Sequence, residues 1–78
     1  MKIYCYFVPK YTFVAEHRVF KVGEEYPVYI QEDYFTLVAE NGEFNLTKKG
    51  LDETVKNWKD AVKVKMGGKQ MSDRPIVD

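Results

Sequence analysis

The chain has one cysteine and one histidine among its 78 residues, and each scarcity removes a class of function. A single cysteine rules out an internal disulfide, so the fold must stand on packing alone. Secreted domains of this size usually carry several bridges, which points instead to a reducing cytoplasm. Structural zinc needs about four Cys and His ligands, more than the two this chain offers. A Cys–His nucleophilic pair would require Cys5 and His17 within hydrogen-bond reach. Cys5 shares a strand face with Ile3 and Phe7 and reads as a small buried apolar residue. His17, between Glu16 and Arg18, reads as a solvated loop residue. No apolar run approaches the roughly 18 residues of a membrane span. The opening stretch is rich in tyrosine, broken by Pro9 and not followed by a small-residue cleavage site, so it does not read as a signal peptide. A phosphate loop is missing as well, because Gly67-Gly68 lacks the strand before it and the helix after it. The adjacent acids Glu24-Glu25 and Glu32-Asp33 point to opposite sides of an extended chain and read as turn solvation rather than a magnesium site. No catalytic set and no cofactor is expected.

Excess charge of one sign is also lacking. Twelve basic and twelve acidic side chains cancel, which removes any global drive towards nucleic acid or an anionic membrane. The charge is nevertheless uneven: residues 1–47 carry a net −3 and residues 48–78 a net +3. Such a dipole steers encounters with charged partners.

What the chain does have is aromatic side chains, six Tyr, five Phe and one Trp. A chain of this length forms one domain that buries roughly 60% of its unfolded surface. The opening segment, Lys2 to Val8, is a strand ended by Pro9. Alternation places Ile3, Cys5 and Phe7 on one face and Tyr4, Tyr6 and Val8 on the other. The first set is expected inward, because the tyrosines can then keep their hydroxyls wet. Tyr11 to Ala15 reads as a short strand or extended loop, and Arg18 to Lys21 leads into a turn at Gly23. Tyr26 to Ile30 follows as a strand, with Pro27 placing it at an edge or its proline near the strand start. In "YFTLVAENGEFNL", Asn41-Gly42 predicts a two-residue type I′ hairpin that sets Ala39 opposite Phe44 and Leu37 opposite Leu46. Phe35, Leu37, Ala39, Phe44 and Leu46 then share one apolar face.

Beyond this hairpin the period changes from 2 to 3.6. Leu51, Val55, Trp58 and Val62 form one helical stripe, giving a C-terminal helix over about 51–64. Gly50 is the expected N-cap, with Asp52 and Glu53 in the first turn and Gly67-Gly68 as the stop. "VKVKM" also alternates, so a final strand of Val62, Val64 and Met66 after a shorter helix is the alternative to the preferred helix. Residues 67–78 read as a flexible or docking tail.

Phe20, Gly23, Tyr26 and Val28 spell F-x-x-G-x-x-Y-x-V, followed by the E-N-G-E hairpin and a short amphipathic helix. With the aromatic first strand, this order resembles the small SH3-like β-barrel proteins of bacteriophages and bacteria, most of them without an assigned function. The resemblance covers residues 1 to about 58 and implies an α+β, mainly β domain: an SH3-like antiparallel barrel of about five strands with a C-terminal helix. It carries no catalytic residues over.

The expected function is binding. Part of the Tyr4 and Tyr6 face is expected to be covered by the helix through Trp58 and Val55. What remains exposed, with Tyr29 or Tyr34 beside it, would form a Tyr-rich patch of the kind enriched in protein interfaces. The face carrying Lys56, Lys59 and Lys63 would favour an acidic surface on a host or phage protein. The concrete expectation is a phage-encoded accessory protein that docks on such a partner and alters its activity. A single-stranded nucleic-acid binder is the alternative, since seven lysines lie between Lys48 and Lys69 and small barrels stack bases on aromatics. A structural subunit is a third reading, in which an edge strand around Lys2 to Val8, or the tail, builds a homodimer.

Overall fold

The period-2 segments assemble into one antiparallel sheet in the computed structural model, which describes residues 2–66. The elements are β1 (Lys2–Pro9), β2 (Phe13–Ala15), β3 (Arg18–Phe20), β4 (Tyr26–Ile30), β5 (Phe35–Ala39), β6 (Gly42–Leu46), α1 (Lys48–Asn57) and β7 (Val62–Met66). Five strands form the main sheet in the order β6-β5-β4-β1-β7, and β2-β3 is a separate hairpin. The domain is thus small, mostly β, with one short helix. Among the described residues the sheet is open, with β6 and β7 at its edges, and does not close into the barrel that the resemblance implies. The hairpin leans on the β5–β6 turn through one backbone bond, Glu40 N–H to Val19 O at 3.0 Å. Three-residue strands joined by one bond cannot carry the ladder that closure needs.

One face of the sheet is the core. Cys5, Phe7, Phe20, Tyr26, Val28, Leu37, Ala39, Leu51 and Val62 are buried together. Trp58 stands at the C-cap of α1 and makes edge-to-face contacts with Phe13, Phe20, Phe7 and Phe44 at centroid distances of 5.5, 5.6, 6.1 and 6.2 Å. The F-x-x-G-x-x-Y-x-V element serves this cluster. Gly23 turns the chain at φ +93°, which lets Phe20 meet Tyr26 edge-on at 5.2 Å. The buried Tyr26 hydroxyl accepts from Lys21 N–H at 2.9 Å and donates to Glu40 Oε2 at 2.8 Å. Its phenol needs that pair of partners in an apolar setting.

The helix differs from expectation at both ends. Thr47 is the N-cap, its Oγ1 accepting from Gly50 N–H at 2.9 Å, and no acid lies in the first turn. The helix runs Lys48–Asn57 rather than 51–64, because the chain reverses at Trp58, whose carbonyl accepts from the N–H groups of Ala61 and Val62 at 2.9 and 2.8 Å. The Val-Lys alternation then wins: Val62–Met66 pairs antiparallel with β1. Leu51, Val55 and Trp58 still share the inward stripe, and Val62 reaches the same core from a strand. The expected tail, residues 67–78, lies outside the described residues.

The Asn-Gly turn is shifted too. Ala39 faces Gly42 and Leu37 faces Phe44, so the two-residue turn is Glu40-Asn41. A shift of two residues preserves every face assignment, and the apolar set is as expected. Asn41 spends its amide elsewhere, accepting from Val19 N–H and donating to His17 O, both at 2.9 Å. The flexible Arg18 side chain reaches over Gly42, its Nε 2.5 Å from where a Cβ would stand. The primed turn sits instead in the β2–β3 hairpin, where Glu16 and His17 adopt φ +48° and +68°.

Candidate partner-binding surface

The register of the sheet sorts the expected tyrosines onto different sides. Ile3 pairs with Tyr29 and Cys5 with Val28, so β1 advances two residues while β4 advances one. This bulge makes Tyr4 the extra residue and turns it to the core side. There its ring packs on Phe35 at 5.1 Å. Tyr4 therefore leaves the outer face on which it was expected, and Ile3 takes a place there instead of an inward one. The bulge reverses the alternation only upstream of Cys5, which is why Cys5 and Phe7 remain inward.

The outer face then reads across the strands in two rows. One is Asn45, Thr36, Tyr29, Ile3; the other is Pro27, Tyr6, Lys65, with the Val38–Glu43 pair on the same face of β5 and β6. Val8 with Lys63 begins a third. Ile3, Tyr6, Val8, Pro27, Tyr29 and Val38 are all half-buried. Ile3, Tyr6, Val8, Tyr29 and Val38 are outside the core and do not pack against it. Tyr6 and Tyr29 occupy diagonal positions, close enough for large side chains to share one surface. The polar border is ordered: buried Thr36 donates to Asn45 Oδ1 at 2.8 Å and accepts from Gln31 Nε2 at 3.3 Å. The basic border is β7. Lys65 pairs with Glu25 at 3.1 Å while both side chains stay about half-exposed, and Lys63 is exposed.

The lysine trio does not form one face. Lys56 lies on α1, on the core side of the sheet, and Lys63 on the outer face of β7. Lys59 sits in the connection, its carbonyl accepting from Lys10 Nζ at 3.0 Å. Their common face presumed a helix through residue 64, and the turn at Trp58 separates them. Tyr34 is exposed in the β4–β5 loop, which is closed by Gln31 N–H to Tyr34 O at 2.9 Å. Lys65 and the apolar residues Ile3, Val8, Pro27 and Val38 were not singled out from sequence. The apolar residues are grouped by the pairing of β1 with β4 and of β4 with β5, and Lys65 joins them through β7 pairing with β1, a contact between the two ends of the described chain.

The expected edge role of β1 is corrected as well, because β1 lies between β4 and β7. Likewise β4 is internal, and Pro27 is tolerated as its second residue. The edge role passes to β7.

A cavity of about 210 Å³ lies between α1 and the β1–β7 pair, lined by Tyr4, Cys5, Leu51, Asp52, Val55, Val64 and Met66. Burial pushes the Cys5 thiol up to about 11, so at neutral pH it is a thiol and a poor nucleophile. No hydrogen bond links Cys5 to His17 among the described residues; His17 sits in the β2–β3 turn, its carbonyl held by Asn41. No group of three or more His, Cys, Asp or Glu side chains is placed to hold a metal ion among the described residues. No described helix is long and apolar enough to cross a membrane.

Comparison with known protein families, curated proteins and solved structures finds no match to this chain.

Proposed function

We propose that this protein is a non-catalytic protein-binding module whose contact surface is the outer face of the sheet. The observation that carries the reading is the half-buried set of Ile3, Tyr6, Val8, Pro27, Tyr29 and Val38, apart from the core and bordered by Lys63 and Lys65. An antiparallel sheet with one solvated face normally alternates apolar with polar residues. Here the central outer positions are apolar or aromatic, and polar residues are pushed to the borders. Tyrosine supplies large, amphipathic contact area and is enriched where interfaces form. A basic border suits a partner with an acidic surface.

The resemblance to small SH3-like proteins supports the narrower form: a phage-encoded accessory protein that docks on a host or phage protein and alters its activity. A single cysteine kept as a neutral thiol fits a reducing cytoplasm. The test is retrieval from bacterial lysate with the tagged chain, with and without nuclease. One stoichiometric protein retained after nuclease treatment supports the module.

Single-stranded nucleic acid is the second reading, favoured by the cross-strand pairing of Tyr6 with Lys65, which sets a base-stacking ring beside a cation. Two border lysines neutralise too few phosphates for strong binding. The slope of log affinity on log salt would be only about −1.4 at roughly 0.7 per phosphate. The protein partner is therefore the preferred reading.

A further inference from the structure

β7 is an edge strand that pairs with β1 on one side, and no strand of the described residues lies on its other side. An open edge presents unpaired N–H and C=O groups that can template another strand. The side chains of this edge are sorted by face. Lys63 and Lys65 project on the outer face opposite Val8 and Tyr6, while Val64 and Met66 line the cavity on the inner face. Met66 is 63% exposed among the described residues. We propose that the free edge of β7 accepts an extended acidic segment of a partner protein as a sixth strand. Its acidic side chains lie beside Lys63 and Lys65, and its alternate apolar side chains cover Val64 and Met66. This deepens the binding-module reading and rests on it.

The charges select this occupant over a second copy of the chain. Two β7 strands pairing about a two-fold axis would set Lys63 and Lys65 against the same lysines, and like charges opposed across strands destabilise pairing. The other edge, β6, offers a single acid, Glu43, whose carbonyl accepts from Arg18 Nε at 3.4 Å within its own chain. Lysines on an edge also act as guards against indiscriminate pairing. The guard and the selector are separable, because a guard admits no strand while a selector admits an acidic one. Glu25 is the acid already facing Lys65, and an exposed pair of that kind is weak enough for an incoming carboxylate to replace.

The experiment titrates the full-length ¹⁵N-labelled chain with a capped seven-residue peptide of alternating valine and glutamate, and with its valine–lysine counterpart. The expected result is at least tenfold tighter binding of the glutamate peptide, with amide shifts concentrated in Val62–Met66 and a preference that shrinks at high salt. The variant K63E/K65E, checked for folding by circular dichroism, is expected to reverse the preference. Equal binding of both peptides, no saturable binding, or an acid preference that survives charge reversal would overturn the proposal. Failure here alongside a lysate protein still retained through Tyr6 and Tyr29 removes the edge site alone. Failure of both removes the binding module too.

Discussion

Replacing Trp58 with alanine tests whether the inner face is the core described above. Trp58 is half-buried, yet it touches four other rings. Truncating a buried tryptophan costs about 3–5 kcal/mol, and partial exposure puts this one at the lower end, about 3 kcal/mol. A chain of 78 residues has a total stability of about 4–12 kcal/mol at the usual value per residue. Trp58→Ala therefore removes between a quarter and three quarters of the whole. Urea unfolding followed by far-UV circular dichroism is the suitable assay, because the substitution removes the only tryptophan fluorophore. With a urea slope of about 1 kcal/mol per molar, the midpoint should fall by about 3 M. Trp58→Phe keeps an aromatic ring in place and should cost only about 1 kcal/mol, which preserves the test if the alanine variant is unfolded in buffer. Midpoints for both variants within about 0.5 M of the parent would refute the central place given to Trp58.

Other perturbations probe the turns, the cap and the thiol. His17→Gly relieves a non-glycine residue at φ +68° and should raise the urea midpoint, stabilising by about 1 kcal/mol. Thr47→Ala removes the side chain that accepts from Gly50 N–H and should cost about 1 kcal/mol in the same assay. The raised Cys5 pKa, about 11 against an ordinary 9.0, means that the native state holds its proton after the unfolded chain has lost it. This contribution to stability is complete below pH about 9 and is lost as pH rises towards about 11. The alkaline decline in the urea midpoint should therefore be shallower in Cys5→Ala than in the parent. Parallel declines would contradict the assignment. A thiol reagent at neutral pH should label native Cys5 only at the rate of unfolding.

The hydrophobic pattern made much of the fold legible. The i, i+4, i+7 spacing of Leu51, Val55 and Trp58 identified the buried helical stripe, and alternation in residues 35–46 identified the inward set. Gly23 marked the turn between Lys21 and Tyr26. What stayed hidden depends on contacts distant in sequence. Asn41-Gly42 has the composition of a primed turn, but the Asn41 amide is held by the backbone of His17 and Val19. Glu16-His17, with no residue that favours positive φ beyond His itself, makes the primed turn because the pairing of Phe13 with Phe20 requires it. Residues 62–66 satisfied both a helix stripe and a strand alternation, and only the exposed flank of β1 decides between them.

The candidate surface was half legible for the same reason. Tyr6 was recognisable as an outward tyrosine, and Tyr29 was named beside it as an alternative to Tyr34. The bulge that withdraws Tyr4 is a property of the β1–β4 pairing, with no glycine to mark it. Lys63 was singled out, but on a helical face shared with Lys56, whereas the strand carries it to the border of the tyrosine surface. Lys65 arrives there through the register with Tyr6.

The most direct test of the binding surface compares the parent chain with the double variant Tyr6→Ser/Tyr29→Ser in retrieval from nuclease-treated bacterial lysate. Both positions lie outside the core, so the variant should keep its circular dichroism spectrum and most of its urea midpoint. The predicted result is one stoichiometric protein retained by the parent and lost, by tenfold or more, from the variant. Equal retention by both chains would contradict the outer face as the site of binding.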